Sequence, residues 1–245
     1  MTEYLKYKLN PDEKIVYAEI LNGTRNNKSE IIISYTPNCD LEKIYQHFMY
    51  DHPELYNVSP QFSMTSVGNR AIMNMKYIYD RYTAKQIDAK IKDVVNKLKQ
   101  QIDMVNDLVE KEKIIIEYLV RNVEYQIDNL KNQNAASALY FGKAQCSGFA
   151  SAFKYLCDVF GIWCMSVFGE YNNKKALVSG PHAWNIVKLG NDYYNVDVTM
   201  MQGANTNNKD KLYYFGINCS DLKFLQHYIW DHRVYPKCTK DMEIK

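Results

Sequence analysis

The chain has 245 residues, 47% of them hydrophobic, which is enough for a real core in one large domain or two small ones and too apolar for a disordered polymer. Thirty Lys and Arg against 28 Asp and Glu leave a formal charge of only +2, so composition supplies no polyelectrolyte argument for nucleic acid or an anionic membrane surface. Six cysteines (Cys39, Cys146, Cys157, Cys164, Cys219, Cys238) follow no CxxC and no regular framework, and a chain of this size needs no staples, which predicts reduced thiols.

No apolar run approaches the ~18 residues that would cross a bilayer, so no membrane insertion is expected. The opening MTEYLKYKLNPDEK is polar, unlike a secretory leader, and this predicts a cytoplasmic protein; a secreted or cell-surface protein is the alternative if a leader was removed beforehand.

Along the chain, residues 1–80 alternate short apolar runs (IVYAEI at 15–20, EIIISY at 30–35) with polar breaks, and a helix is predicted from Asp40 to Asp51. From Thr83 the texture sharpens. Ile87, Ile91, Val94, Leu98, Ile102, Val105 and Leu108 recur at three- and four-residue spacings, the stripe of an amphipathic helix, with Thr83 and Gln86 as a capping box. A second helix is predicted over Glu110–Val123, followed by a polar stretch at 128–134.

The C-terminal half reads differently. A helix is predicted from Cys146 to Phe160, because Phe149, Phe153, Leu156 and Phe160 make one apolar face and Gly161 suits its stop. Short strands are expected around 163–169, 182–189 and 193–199. These boundaries place a mainly helical N-terminal extension at 1–105 and the chemistry-bearing core at 106–245.

Three residues stand out chemically. In GKAQCSGFASAFKYLC, Cys146 opens the helix, where unpaired backbone N–H groups and the positive dipole end stabilise a thiolate. Cys157, deeper in the same helix, is read as a buried core thiol. In GPHAWNIVKLGNDYYNVDVT, two strand-like runs flank a Gly-Asn-Asp turn, so His182 and Asp197 lie on the two arms of one hairpin. With the turn centred between Gly190 and Asn191, facing residue numbers sum to 381, which sets His182 opposite Thr199 and diagonal to Asp197, on the face that also carries Trp184. Imidazole can then take the thiol proton, the carboxylate can fix tautomer and ring plane, and the thiolate can attack a carbonyl. The backbone N–H of Cys146 is one donor for the resulting oxyanion, with Gln145 or an upstream side chain as the other.

The histidine pairs His47 with His52 and His227 with His232 are each five apart, which does not align two ligands on a helix face, so no metal site is read there. Asp51-His52-Pro53 and Trp230-Asp231-His232 are read as buried hydrogen-bonded corners. There is no Gly-rich phosphate loop, SxxK or GxSxG. The chemistry requires neither cofactor nor metal.

The segments KAQCSGFASAFKYLCDVFGI and HAWNIVKLGNDYYNVDVT resemble, in order and spacing, the Cys, His and Asp motifs of the transglutaminase-like superfamily of papain-fold cysteine enzymes in its bacterial branch, over about residues 111–200. DHPELY followed by the long helix is similar to the N-terminal extension of that group. The resemblance implies an α+β fold with the catalytic helix packed on an antiparallel sheet. It also implies Cys146 as nucleophile, His182 as base and Asp197 as orienter. Trp184 would wall the cleft, and Trp184, Gln145 and Tyr140 would contact substrate. The position about ten before the cysteine, often aromatic in the family, is Ala136 here, with Tyr140 nearer. A protein or peptide substrate is implied, and the acyl-enzyme would be resolved by water (cysteine protease, amidase or deamidase) or by an amine (transamidase). The alternative is a catalytically silent binding or scaffolding module on the same fold. Neither reading fixes the oligomeric state.

Overall fold

A computed structural model of the chain describes residues 2–67, 70–127, 133–173, 178–203 and 219–242. It forms two compact units, Glu3–Gln86 and a second made of Ile87–Lys245 with Met1–Thr2.

The first unit is a three-stranded antiparallel sheet with two helices. Helix α1 (Pro11–Arg25) begins on a capping box in which Asn10 accepts from the Glu13 N–H while the Glu13 carboxylate accepts from the Asn10 N–H, with Pro11 in the first turn. The IVYAEI run therefore lies in a helix, where Val16, Tyr17 and Ile20 share its buried side. Strand β1 (Glu30–Ile33) follows, and α2 (Leu41–Asp51) is capped by Asp40, matching the helix read from sequence to within one residue. Strands β2 (Val58–Val67) and β3 (Arg70–Tyr77) complete a sheet ordered β1-β3-β2. Ile31 and Ile33 from β1 and Ala71, Met73 and Met75 from β3 point inward onto Val16, Tyr17, Ile20, Ile44 and Phe48. The stretch expected to be mainly helical thus also holds a sheet.

The Asp51-His52 corner is buried as expected: the Asp51 carboxylate accepts from the Leu5 and Lys6 N–H groups and from the Tyr17 hydroxyl, and His52 Nδ1 lies 2.9 Å from Glu54. The Trp230-Asp231-His232 segment differs. Trp230 is buried, but Asp231 and His232 are exposed, and Asp231 pairs with Arg233.

Helix α3 (Arg81–Ile102) buries Ile87, Ile91, Val94, Leu98 and Ile102, the first five residues of the stripe read from sequence, but ends there: Val105 lies beyond the helix and Leu108 opens the next one, both only part-buried. It starts three residues earlier than expected, since Asp80 takes the capping role given to Thr83 and its side chain accepts from the Thr83 N–H. Helix α4 (Leu108–Asn122) is capped by Asp107 and precedes a short strand β4 (Glu124–Tyr125). Most of the polar stretch at 128–134 lies outside the described residues. Helix α5 (Ala135–Leu139) and strand β5 (Lys143–Ala144) then lead into α6 (Cys146–Val159).

Helix α6 packs on α4, α5 and the sheet, and buries Phe149, Phe153, Leu156 and Cys157. Lys154, wholly buried among them, is matched by Asp158 one turn on (2.7 Å) and by the Thr2 carbonyl (3.0 Å). The helix ends where Gly161 takes φ +76° and the Ile162 N–H returns to the Cys157 carbonyl, a left-handed cap that a Cβ would strain.

The antiparallel sheet beneath comprises β6 (Trp163–Asn173), β7 (Val178–Leu189), β8 (Asp192–Val196) and β9 (Tyr228–Ile229) in the order β8-β7-β6-β9. Helices α7 (Val198–Gly203) and α8 (Asp221–Phe224) lie between β8 and β9 in sequence. The fold is α+β, with the Cys146 helix on an antiparallel sheet. The β7–β8 ladder runs from Leu189↔Asp192 to Asn185↔Val196, every pair summing to 381 as the turn predicts. It stops there because the chain leaves the strand at Asp197 and enters α7, so the expected pairing of His182 with Thr199 does not form; His182 instead faces Gly169 on β6.

Candidate active site

The site is assembled from the start of α6, the middle of β7 and the residue just past β8. Gln145 is the N-cap of α6, in extended backbone and without a side-chain capping bond, so the first-turn N–H groups remain directed at whatever occupies the helix start. Cys146 is the first helical residue and is half-buried. Burial pushes its thiol up, but a hydrogen bond from His182, the His182 charge, and the N–H groups of Ala183 and Ser147 outweigh that and bring it below the ordinary thiol value.

His182 places Nε2 at 2.6 Å from Asp197 Oδ2, which leaves Nδ1 for the sulfur of Cys146. Burial alone would favour the neutral imidazole. The Asp197 charge and hydrogen bond, with Cys146 adding to them, reverse this and raise His182 to about 10. Asp197 has no exposed side-chain surface and is held at both oxygens. Its Oδ1 accepts from the Met200 N–H (3.1 Å), capping α7, and its Oδ2 also accepts from the Tyr228 hydroxyl (2.7 Å). Sequence and structure thus bring Cys146, His182 and Asp197 to one place, in the order thiol, imidazole, carboxylate.

The other residues singled out from sequence fare differently. Trp184 stacks on the His182 ring (6.3 Å between centroids, 18° between planes), but it is only 1% exposed and its indole N–H is bound by Asn195 Oδ1. It backs the imidazole from the core side and offers substrate no surface, because the face it shares with His182 is covered by Phe224, Tyr228 and Trp230. Gln145 is half-buried beside Cys146. Tyr140, at the end of α5, packs its ring edge-on to Phe141 (4.7 Å). Ala136 is buried inside α5 and has no donor to give.

Two residues that interact with the site, Tyr125 through its charges and Tyr228 through a hydrogen bond, carried no signal in the sequence. Tyr125, on β4, pairs with Ala144 of β5 two residues before Cys146; burial pushes its phenol up, and the Cys146 and Asp197 charges push it further. Tyr228 comes from β9, far along the chain. Neither sits at a recognisable spacing from the cysteine or the histidine, and both reach the site through strand pairing.

Gly169 controls that second approach. A methyl there would overlap the Ile229 carbonyl oxygen and press the Trp184 ring at 3.0 Å, so only glycine lets β9 lie against β6. Gly169→Ala is expected to lower stability by about 1–3 kcal/mol, the usual cost of overpacking, and to displace Tyr228 from Asp197. Thermal unfolding of the variant checks this, and an unchanged midpoint would show that β9 can yield without cost.

Among the described residues no group of three or more His, Cys, Asp or Glu side chains could hold a metal ion, and no helix is long and apolar enough to cross a membrane.

Residues 79–198 match the family model of the transglutaminase-like superfamily. The mouse protein called Kyphoscoliosis peptidase is 24% identical over 171 residues, covering 63% of this chain and 25% of its own length. A solved structure described as a TGase is 14% identical, with a TM-score of 0.41, covering 74% of this chain and 52% of its own. The chain therefore spans a quarter of the first relative and about half of the second. Residues 79–198, which carry Cys146, His182 and Asp197, form a core domain of the transglutaminase-like superfamily.

Proposed function

We propose that the chain is a thiol enzyme that opens an amide bond through an acyl-enzyme on Cys146. The observation that carries this is the relay of contacts: a thiol held low by His182, which is itself held by a buried carboxylate at 2.6 Å. The Cys146 thiolate adds to the amide carbonyl, and the oxyanion is met by the Cys146 N–H at the helix start. The His182 imidazolium gives its proton to the departing amine, the C–N bond breaks, and a thioester remains. Water activated by the neutral imidazole then releases the acid and regenerates the thiol. An amine in place of water would give transamidation; the name of the mouse relative favours hydrolysis of a peptide.

The rate is expected to follow a bell in pH. On the acid side it rises as Cys146 loses its proton, below the ordinary thiol range. On the alkaline side it falls near pH 10, where His182 loses the proton that partners the thiolate and serves the leaving amine. Turnover of a mixed peptide library, with and without added primary amines, tests the reading, together with iodoacetamide labelling near pH 6. Selective labelling of Cys146 and peptide cleavage support it. Labelling no faster than that of an ordinary thiol, with no turnover, would leave the chain as a binding or scaffolding module on this fold.

A further inference from the structure

We infer that Tyr228, which lies outside the span matched by the family model, is a positioning residue of the site: its hydroxyl holds the Asp197 carboxylate in the orientation that serves His182. This rests on the reading of Cys146, His182 and Asp197 as one working set.

The geometry is specific. Asp197 Oδ2 takes two partners, His182 Nε2 at 2.6 Å and the Tyr228 hydroxyl at 2.7 Å, while Oδ1 takes the Met200 N–H at 3.1 Å. Partners from β7, β9 and α7 therefore converge on one carboxylate, and none of them lets it rotate without losing a bond. Met200 fixes one oxygen from the chain immediately following. Tyr228 is the only one of the three that belongs to neither the histidine strand nor the Asp197 turn.

The phenol ring is itself fixed. Tyr228 is 1% exposed, stacked on Phe224 at 4.4 Å and edge-on to Trp184 at 5.1 Å and Tyr171 at 5.2 Å, and its backbone pairs with Tyr171 across β6. A phenylalanine would fill the same box equally well, so packing alone does not require the hydroxyl. The titratable groups facing it are Asp197, His182, Tyr171 and Cys219; Cys146 acts on His182, and Tyr125 feels the charges of Cys146 and Asp197. Burial, and then the Asp197 charge and hydrogen bond, push the phenol far up, so Tyr228 donates at every working pH and never becomes a second anion beside Asp197.

Removing the hydroxyl has two consequences of known sign. The positive end of an O–H dipole aimed at Asp197 disappears, so the local potential becomes more negative, and both the Cys146 thiol and the His182 imidazolium keep their protons to higher pH. The carboxylate also gains a rotation it did not have, which lowers kcat while leaving substrate binding little changed.

The test is the pH profile of Cys146 alkylation by iodoacetamide, measured on the full chain as wild type, Tyr228→Phe and Phe224→Leu. The last variant loosens the same aromatic box without touching the hydrogen bond. The expected result is an acid limb moved upward by about half a pH unit in Tyr228→Phe, which is about a three-fold loss of rate at pH 6, and an unmoved limb in Phe224→Leu. An unmoved limb in a folded Tyr228→Phe, or an equal shift in both variants, overturns the inference while leaving the Cys146 reading in place. Wild-type Cys146 that is not selectively alkylated at pH 6 overturns the Cys146 reading, and this inference with it. If Tyr228→Phe does not fold, 3-fluorotyrosine at position 228 decides: it keeps the shape and strengthens the donor, so the limb moves down, and no downward movement overturns the proposal.

Discussion

Cys146→Ala is expected to remove the proposed turnover while leaving the fold in place. Loss of the nucleophile in a cooperating thiol–imidazole–carboxylate set costs about 10⁶-fold in kcat on the precedent of hydrolases with such sets, which here means loss below detection. The structural cost is small because Cys146 is half-buried in the first turn of α6 and deletion of one sulfur leaves room that solvent and the first-turn N–H groups can fill. Cys157→Ala and Cys164→Ala give the contrasting result. Both thiols are completely buried and out of reach of a substrate, and Cys157 is held well above the ordinary range by burial and by its hydrogen bond with Cys164, so no nucleophilic role is expected of either. Truncating either opens a core cavity at a cost of about 1–3 kcal/mol, with kcat per folded molecule unchanged. The measurement is turnover alongside thermal unfolding for all three variants. Full inactivation of a folded Cys157→Ala would move the chemistry away from the helix start.

The site was legible where its information is local. Cys146 opens a helix whose apolar face and Gly161 stop are both written within sixteen positions, and a turn at Gly190-Asn191 sets the pairing of β7 with β8 without any distant input. Strand β8 ends earlier than its sequence predicts because Asp197 caps α7, and Val-Thr after it is equally at home in a strand or a first helical turn. Trp184 lies on the face that alternation predicts, but period-two alternation says only that it shares a side with His182 and not which part of that side is covered. The rings that cover it, Phe224, Tyr228 and Trp230, arrive from beyond the motif.

In the first unit the missed strands have weak local signals. Strand β3 alternates Ala71, Met73 and Met75 inward with Ile72, Asn74 and Lys76, so its buried side is built from residues without β preference. Strand β2 carries three serines, Gln61 and Pro60, and shifts register between Val58 and Phe62, which blurs any alternation. Once β1 pairs with β3, burial on Val16, Tyr17 and Phe48 decides what propensity leaves open. Tyr125 and Tyr228 illustrate the same limit at the site itself, since each is delivered by a two-residue strand whose existence depends on its partner.

Asp197→Asn is expected to lower kcat/KM by about 10²–10³-fold and to move the alkaline limb of the pH profile downward. The carboxylate accepts from three groups and donates to none, and an amide of the same shape cannot do that. If the amide oxygen takes the place of Oδ2, it keeps His182 and Tyr228 but turns the amide nitrogen toward the Met200 N–H, donor against donor, which costs about 1–3 kcal/mol in a buried position. If the amide flips, its nitrogen donates to His182 Nε2. The imidazole proton is then driven to Nδ1, toward the Cys146 sulfur, and the base is blocked. The sign of the pH effect follows from charge. Asp197 supplies the interactions that outweigh burial and raise His182 to about 10, so its neutralisation lets burial dominate and the imidazolium loses its proton at lower pH. A thiol enzyme can work with a neutral orienter, as Cys-His-Asn sets do, which is why the loss is smaller than for Cys146→Ala. The measurement is kcat/KM across pH 5 to 11 with Cys146 alkylation as a second probe of the thiolate. Retained activity with an alkaline limb still near pH 10 would mean that Asp197 shapes the fold around α7 and plays no electrostatic part in the chemistry.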